Sequence, residues 1–152
     1  MSGQFEATVR VDRPVEAVFD YLSDGRNDPQ FSPRVQRIER IPDAPTTLGT
    51  VFRSTVKDAG MTTAREFRIT ALEAPRTIRW AEVSKNLVTA REGGYDLEAL
   101  ADGGTRVRLF NVLEGHGLGK LLVGLALVAA RKDAEAFGAR IKAAAEAAIA
   151  PR

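Results

Sequence analysis

The chain has 152 residues and a formal net charge of +2, from 22 Lys and Arg against 20 Asp and Glu. With 44% hydrophobic and 28% charged residues, it has the make-up of one globular domain over residues 1–152. It contains no Cys and a single His, which excludes disulfide frameworks, thiol nucleophiles and Cys- or His-based metal clusters. Its basic residues are scattered from Arg10 to Arg152 rather than massed on one face, so nucleic acid is not an expected partner.

Met1 to Glu6 carries no basic stretch followed by an apolar run, so a cytoplasmic location is expected. Phe5, Ala7, Val9 and Val11 alternate with Glu6, Thr8 and Arg10, the period of a half-buried strand. Asp12 then reads as an N-cap, with Pro14 in the first turn of a helix over 13–22 that carries Val15, Val18, Phe19 and Leu22 at helical spacing. Residues 23–34 are rich in turn formers, with room for one short helical turn between Gly25 and Phe31. A strand is expected at 35–41, where Val35, Ile38 and Ile41 break strict alternation as a bulge or an edge position would require.

The centre reads as strand after strand. Residues 49–57 put Phe52, Ser54 and Val56 together, and 63–72 put Arg65, Phe67, Ile69 and Ala71 together. Residues 77–83 align Ile78, Trp80 and Glu82; 94–100 align Tyr95, Leu97 and Ala99; 105–113 align Val107, Leu109, Asn111 and Leu113. Gly60 and the Asp102-Gly103-Gly104 run mark turns, so the strands form an antiparallel meander. From Leu118 to Ile149 there is no Pro and much Ala, Leu and Val, which predicts one long helix of about 45 Å. Its core face carries Val123, Leu127, Ala130, Ala134, Phe137, Ile141, Ala144 and Ala148. Its apolar run is too short to span a membrane, so no stable insertion is expected.

A curved antiparallel sheet must cover its concave face, and one long amphipathic helix can do so while leaving a space for a ligand. The order of elements and several local runs resemble the START-like (SRPBCC) superfamily, within it the polyketide cyclase/dehydrase and lipid-transport group. The resembling runs are Val11-Asp12-Arg13-Pro14-Val15-Glu16-Ala17-Val18-Phe19, Phe31-Ser32-Pro33, Gly49-Thr50-Val51-Phe52, Phe67-Arg68-Ile69-Thr70, Ala74-Pro75-Arg76-Thr77-Ile78-Arg79-Trp80, Gly94-Tyr95-Asp96-Leu97 and Gly104-Thr105-Arg106-Val107. The resemblance implies an α+β helix-grip fold: about seven curved antiparallel strands around a long C-terminal helix, with two short helices after the first strand. It also implies a cavity for a hydrophobic or aromatic small molecule, polyketide- or lipid-like; separately, no cofactor is expected, and no metal with no Cys and one His. It carries no transferable catalytic signature. The bias to Arg over Lys resembles that of a high-GC bacterial proteome.

The candidate ligand-binding residues are those in phase on the concave face, Phe52, Ser54, Arg65, Phe67, Ile69, Trp80, Glu82, Tyr95, Leu97, Leu109 and Asn111, with Val123, Leu127 and Phe137 of the helix. Arg65 shares its face with Phe67 and Ile69, where an unpaired charge is costly. Either it meets Glu82 inside the cavity and orients a ligand oxygen, or it lies at the rim near Gly60 and reaches into water. Ser54 and Asn111 can serve a ligand or the protein's own polar groups. The catalytic candidates are Arg65, Glu82, Tyr95 and His116, the last in a Gly-flanked loop that more often leaves a His exposed. Three function classes follow: a binder of hydrophobic small molecules, a polyketide cyclase, aromatase or dehydratase, and a non-catalytic hydrophobic interaction module. Leu118, Leu121, Leu125 and Val128 form a second helical stripe opposite Phe137 that needs a cover: the same helix of a second chain in a homodimer, a fold-back of residues 118–121 over the cavity mouth, or lipid met during ligand delivery.

Overall fold

The computed structural model describes residues 2–58 and 60–151. Strands β1 (Ser2–Val11), β2 (Val35–Ile41), β3 (Val51–Asp58), β4 (Met61–Glu73), β5 (Thr77–Glu82), β6 (Val88–Ala99) and β7 (Thr105–Gly115) form one antiparallel sheet in the order β1-β7-β6-β5-β4-β3-β2. Helix α1 (Val15–Ser23) and a short 3-10 helix (Gly25–Gln30) follow β1, and α2 (Gly119–Ala148) ends the fold. This is the expected helix-grip architecture. No helix among the described residues is long and apolar enough to cross a membrane.

The register puts the predicted face together. Phe52 pairs with Phe67, Ser54 with Arg65, Phe67 with Glu82, Ile69 with Trp80, Ile78 with Tyr95 and Tyr95 with Leu109. Directly opposed residues share a face, so these side chains line the concave side. The core is closed most tightly where α1, β6, β7 and the last turns of α2 meet, with Val11, Val18, Ile78, Val107, Ile141 and Ala145 essentially without solvent contact. The convex face is polar, and its one large aromatic, Phe110, lies under the guanidinium groups of Arg79 and Arg108 at 4.9 and 4.8 Å.

Four expectations need correction. Asp12 does not cap α1. Pro14 occupies the N-cap without a side-chain bond, while Asp12 turns to α2, its carboxylate 3.1 Å from Lys142 Nζ and its amide donating to Glu146 at 2.8 Å. Ala71 leaves the Phe67–Ile69 face, because a register shift between Ile69 and Ala71 sets it opposite Arg79 and turns Leu72 inward opposite Ile78. Strand β6 begins at Val88 rather than at 94, and Ala148 is exposed at the helix end. Strand β2 is both a sheet edge and irregular, with a shift between Val35 and Arg37.

Candidate functional site

Helix α2 does not cover the whole concave face. It packs chiefly on β1 and β7, and less on β6, so β3, β4 and β5 lie outside its main packing surface. Burial follows that division. Phe52, Ile69, Tyr95, Leu97, Leu109, Val123 and Leu127 are buried, whereas Phe67, Trp80, Asn111 and Phe137 stay half-buried although they face inward. Ala130 and Ala134, on the same side of α2 as Phe137, are half-buried too. Large aromatic surface is seldom left accessible on an inward face without use.

Aromatic rings make up much of the wall. Phe31 meets Phe137 edge-on at 6.0 Å and Tyr21 at 6.4 Å, and Trp80 meets Tyr95 edge-on at 5.2 Å. The Trp80 indole N–H donates to Asn111 Oδ1 at 3.1 Å, so Asn111 serves the wall itself. Gly93 lies under this pair, since a Cβ there would collide with the Trp80 ring and Asn111 Oδ1. The Ser54 hydroxyl points to the Arg65 carbonyl at 3.5 Å.

Arg65 and Glu82 meet. Arg65 Nη1 donates to both Glu82 oxygens at 3.1 Å and to the Val88 carbonyl at 3.0 Å. The Glu82 side chain has no solvent contact, while that of Arg65 is a quarter exposed. Glu82 also accepts from the Ser84 hydroxyl at 2.6 Å, the Asn86 amide at 2.9 Å and the Ala90 backbone N–H at 2.9 Å. The carboxylate is therefore saturated by groups that brace the β5–β6 loop. Its oxygens are all engaged, and Arg65 is paired with it rather than a free cation, though part of the guanidinium side chain still meets water.

His116 stands on the other side of that brace. With Glu82, Ser84, Lys85, Asn86, Thr89, Arg91 and Glu114 it lines a cleft of about 480 Å³. A smaller cleft of about 240 Å³ lies at Arg37, Glu39, Arg53, Ser54 and Thr55. Neither is lined by a residue of α2. His116 Nε2 is 2.8 Å from the Thr89 hydroxyl and 3.8 Å from Glu114. Hydroxyl and carboxylate approach the same ring nitrogen, whereas a nucleophile–base–acid relay needs them on opposite nitrogens. The four catalytic candidates are thus not assembled: Arg65 and Glu82 neutralise each other, His116 lines the cleft on the far side of that pair, and Tyr95 lies apart from them in the core.

One residue outside the predicted set has a strongly shifted acidity. Asp28, on the short 3-10 helix, is half-buried, and burial together with the charge of Asp24 pushes its carboxyl up to about 7. Burial first, then the charges of Asp28 and Tyr21, raise the Tyr95 phenol well above its ordinary value. The same causes, burial then Asp28, push Tyr21 up to about 12. Asp24 itself is held by Arg26 at 2.7 Å and Arg40 at 3.5 Å, which pins the 3-10 helix beside β2.

The chain resembles known proteins along its length. The ZhuI aromatase/cyclase of a Streptomyces species superposes with a TM-score of 0.79 at 19% identity, covering 96% of this chain and 94% of that one. TTHA0849 from Thermus thermophilus gives 0.75 at 18% identity, over 97% of this chain and 100% of that one. The di-domain aromatase/cyclase StfQ of the steffimycin pathway gives 0.74 at 17%, with 97% of this chain on 50% of that one. At these identities the likeness establishes the fold. No curated protein matches the sequence. The family described as polyketide cyclase/dehydrase and lipid transport matches residues 2–146, and the chain belongs to it.

Proposed function

We propose that this protein binds a hydrophobic or aromatic small molecule in the gap between α2 and the β3–β5 half of the sheet. The observation that carries the reading is the half-buried state of Phe67 and Trp80 on the concave sheet face, and of Phe137 on the side of α2 turned toward it. Burying such rings against a flat apolar ligand recovers about 25 cal/mol per Å² of surface. Trp80 is the sole Trp of the chain, so its emission reports on the gap directly. Titration with 1-anilinonaphthalene-8-sulfonate is expected to quench or shift that emission, and an added apolar ligand to reverse the change. Native protein that leaves both fluorophores unaltered would refute the reading.

A second reading, a polyketide cyclase, aromatase or dehydratase, is favoured by the aromatase/cyclase neighbours and by the Tyr95 phenol at the gap. Its acid/base work cannot fall on Arg65 and Glu82, which are spent on each other. Incubation with a linear poly-β-keto thioester, followed by mass spectrometry of cyclised and dehydrated products, separates catalyst from carrier.

The second stripe of α2 belongs to the same reading as a self-association surface. Leu118, Leu121, Leu125 and Val128 are all more than 60% exposed, an apolar row that a homodimer would cover.

A further inference from the structure

We propose that strand β1 is a docking edge for a second copy of this chain, paired antiparallel about a two-fold axis through Thr8 and Gly138. The surface is separate from the Leu118–Val128 row and independent of the small-molecule reading.

Strands β1 and β2 are the two edges of the sheet. Strand β2 is guarded, since its pairing with β3 shifts between Val35 and Arg37 and it is flanked by Pro33 and Pro42. Strand β1 has no such device. It pairs with β7 from Ser2 to Val11 without a shift and holds no Pro. In an antiparallel ladder alternate residues turn their N–H and C=O groups away from the partner strand. Two bonds to α2 identify which residues these are. The Gln4 carbonyl accepts from Arg131 Nη2 at 2.9 Å, and the Asp12 amide donates to Glu146 at 2.8 Å. The same parity turns the backbone groups of Glu6, Thr8 and Arg10 outward. Among the described residues no backbone bond from a turn, loop or cap reaches them.

Charge selects the register of a second β1 on this edge. An axis through Glu6 or Arg10 sets like charges face to face, and one through Ala7 or Val9 makes no opposite-charge pair. An axis through Thr8 sets Glu6 opposite the partner's Arg10 and closes about six backbone hydrogen bonds. It also sets Gln4 opposite the partner's Asp12. Arg131 and the partner's Glu146, which hold those two backbone groups, then stand side by side.

Helix α2 carries the same symmetry. It runs along β1 with Gly138 over the middle of the strand, where an added Cβ would lie 3.4 Å from Val9 Cβ and 3.9 Å from the Thr8 carbonyl. Its flank on the β1 side reads Arg131, Glu135, Gly138, Lys142 and Glu146 at helical spacing. Turned end for end about Gly138, that flank sets Glu135 against the partner's Lys142 and Arg131 against the partner's Glu146. Strand and helix therefore select one axis. Glu135 is exposed and has no ion-pair partner among the described residues, so it is free for this pairing. About 30 Å of paired strand and one helix flank make a small interface, below about 1,200 Å² in all, so the pairing belongs to high protein concentration.

The test uses Leu121→Glu/Leu125→Glu protein, in which the apolar row cannot associate, in sedimentation velocity at about 20 and about 500 µM. Dimer is expected at the higher concentration. Adding Glu135→Lys should raise the dissociation constant about tenfold. Adding Thr8→Pro should abolish the dimer, because the Thr8 N–H faces outward and its loss breaks no bond to β7. Melting curves check that Thr8→Pro folds, and if it does not, Glu135→Lys decides. The chain has no Cys, so Thr8→Cys supplies a second measurement. Across the axis two such Cα atoms lie about 5.5 Å apart, within disulfide reach, and this variant should crosslink at least about tenfold faster than the exposed control Glu98→Cys. A monomer at about 500 µM, a dimer that Glu135→Lys leaves unweakened, or equal crosslinking of the two Cys variants overturns the proposal. None of these results touches the small-molecule reading, which the dye titration decides, or the apolar row, which the wild type decides at micromolar concentration.

Discussion

Replacing Arg65 with Met is expected to destabilise the fold rather than merely empty the gap of a charge. The Glu82 carboxylate has no solvent contact and keeps only neutral donors once the guanidinium is gone: Ser84, Asn86 and the Ala90 amide. Stranding a buried charge costs about 3–5 kcal/mol. Arg65 is a quarter exposed, so solvent screens part of the pair, and about 2–4 kcal/mol is the working figure. For a domain of this size a loss of about 3 kcal/mol lowers the melting temperature by roughly 6–12 °C. Arg65→Met/Glu82→Met should recover much of the loss, because two packed apolar side chains need no compensation. Glu82→Gln should instead loosen the β5–β6 loop, and amide hydrogen exchange at Ala90, which donates to Glu82 at 2.9 Å, should quicken. The assays are thermal melts at neutral pH and exchange by NMR. A single Arg65→Met variant melting within about 2 °C of wild type would refute the account of Glu82 as a buried ion that depends on Arg65.

Three further outcomes are expected. The Asp28 carboxyl rises from 3.8 to about 7 on folding, so its protonation favours the folded state fully below about pH 4, and that contribution is lost as pH climbs through 7. Asp28→Asn should therefore melt close to wild type at pH 4 and above it at pH 8, by up to about 4 kcal/mol and less where water reaches the carboxyl; equal shifts at both pH values would contradict this. Gly119→Ala should destabilise by about 1–3 kcal/mol, since a Cβ there collides with the Leu87 carbonyl and both parties are backbone; an unchanged denaturation midpoint speaks against the tight β5–β6 loop to α2 junction. Light scattering at micromolar concentration should find a dimer that Leu121→Glu/Leu125→Glu dissociates, and a monomeric wild type removes the self-association reading.

The concave face was legible because alternation in β3, β4, β5 and β7 is clean where one side meets a core and the other meets water. Phe52, Phe67, Ile69, Trp80, Tyr95 and Leu109 all fall where that period puts them. Legibility fails where a local device interrupts the period. Gly93 and Gly94 break the pattern of β6, although they stand there because Trp80 and Arg79 occupy the space of a side chain. The shift after Ile69 turns Ala71 out and Leu72 in, and nothing in the residue types announces it. Asp28 was hidden for another reason. Asn27-Asp28-Pro29 reads as a solvated turn, but the Asp24–Arg40 pair and the bonds of Asn27 and Gln30 to Tyr21 lay that turn against the fold. Pairing between Arg65 and Glu82 needed the β4–β5 register, which strand phase alone leaves open.

The way charge is distributed over the concave face decides where chemistry can occur. At the β5–β6 loop end the face carries its most conspicuous ionisable residues, and these cancel: a guanidinium and a carboxylate within 3.1 Å, with every Glu82 oxygen bonded to the loop it holds. A group that saturated cannot also follow a substrate through changing protonation, because each donor it would release is left unpaired in a dry site. The Tyr95 end is the reverse. Its polar atoms are few, and the Trp80 ring meets that of Tyr95 edge-on at 5.2 Å. A phenol not committed to the protein's own groups is free to meet the polar group of a ligand. Carrier or cyclase, the protein's polarity is fixed at Glu82, and what remains for a ligand lies away from that end.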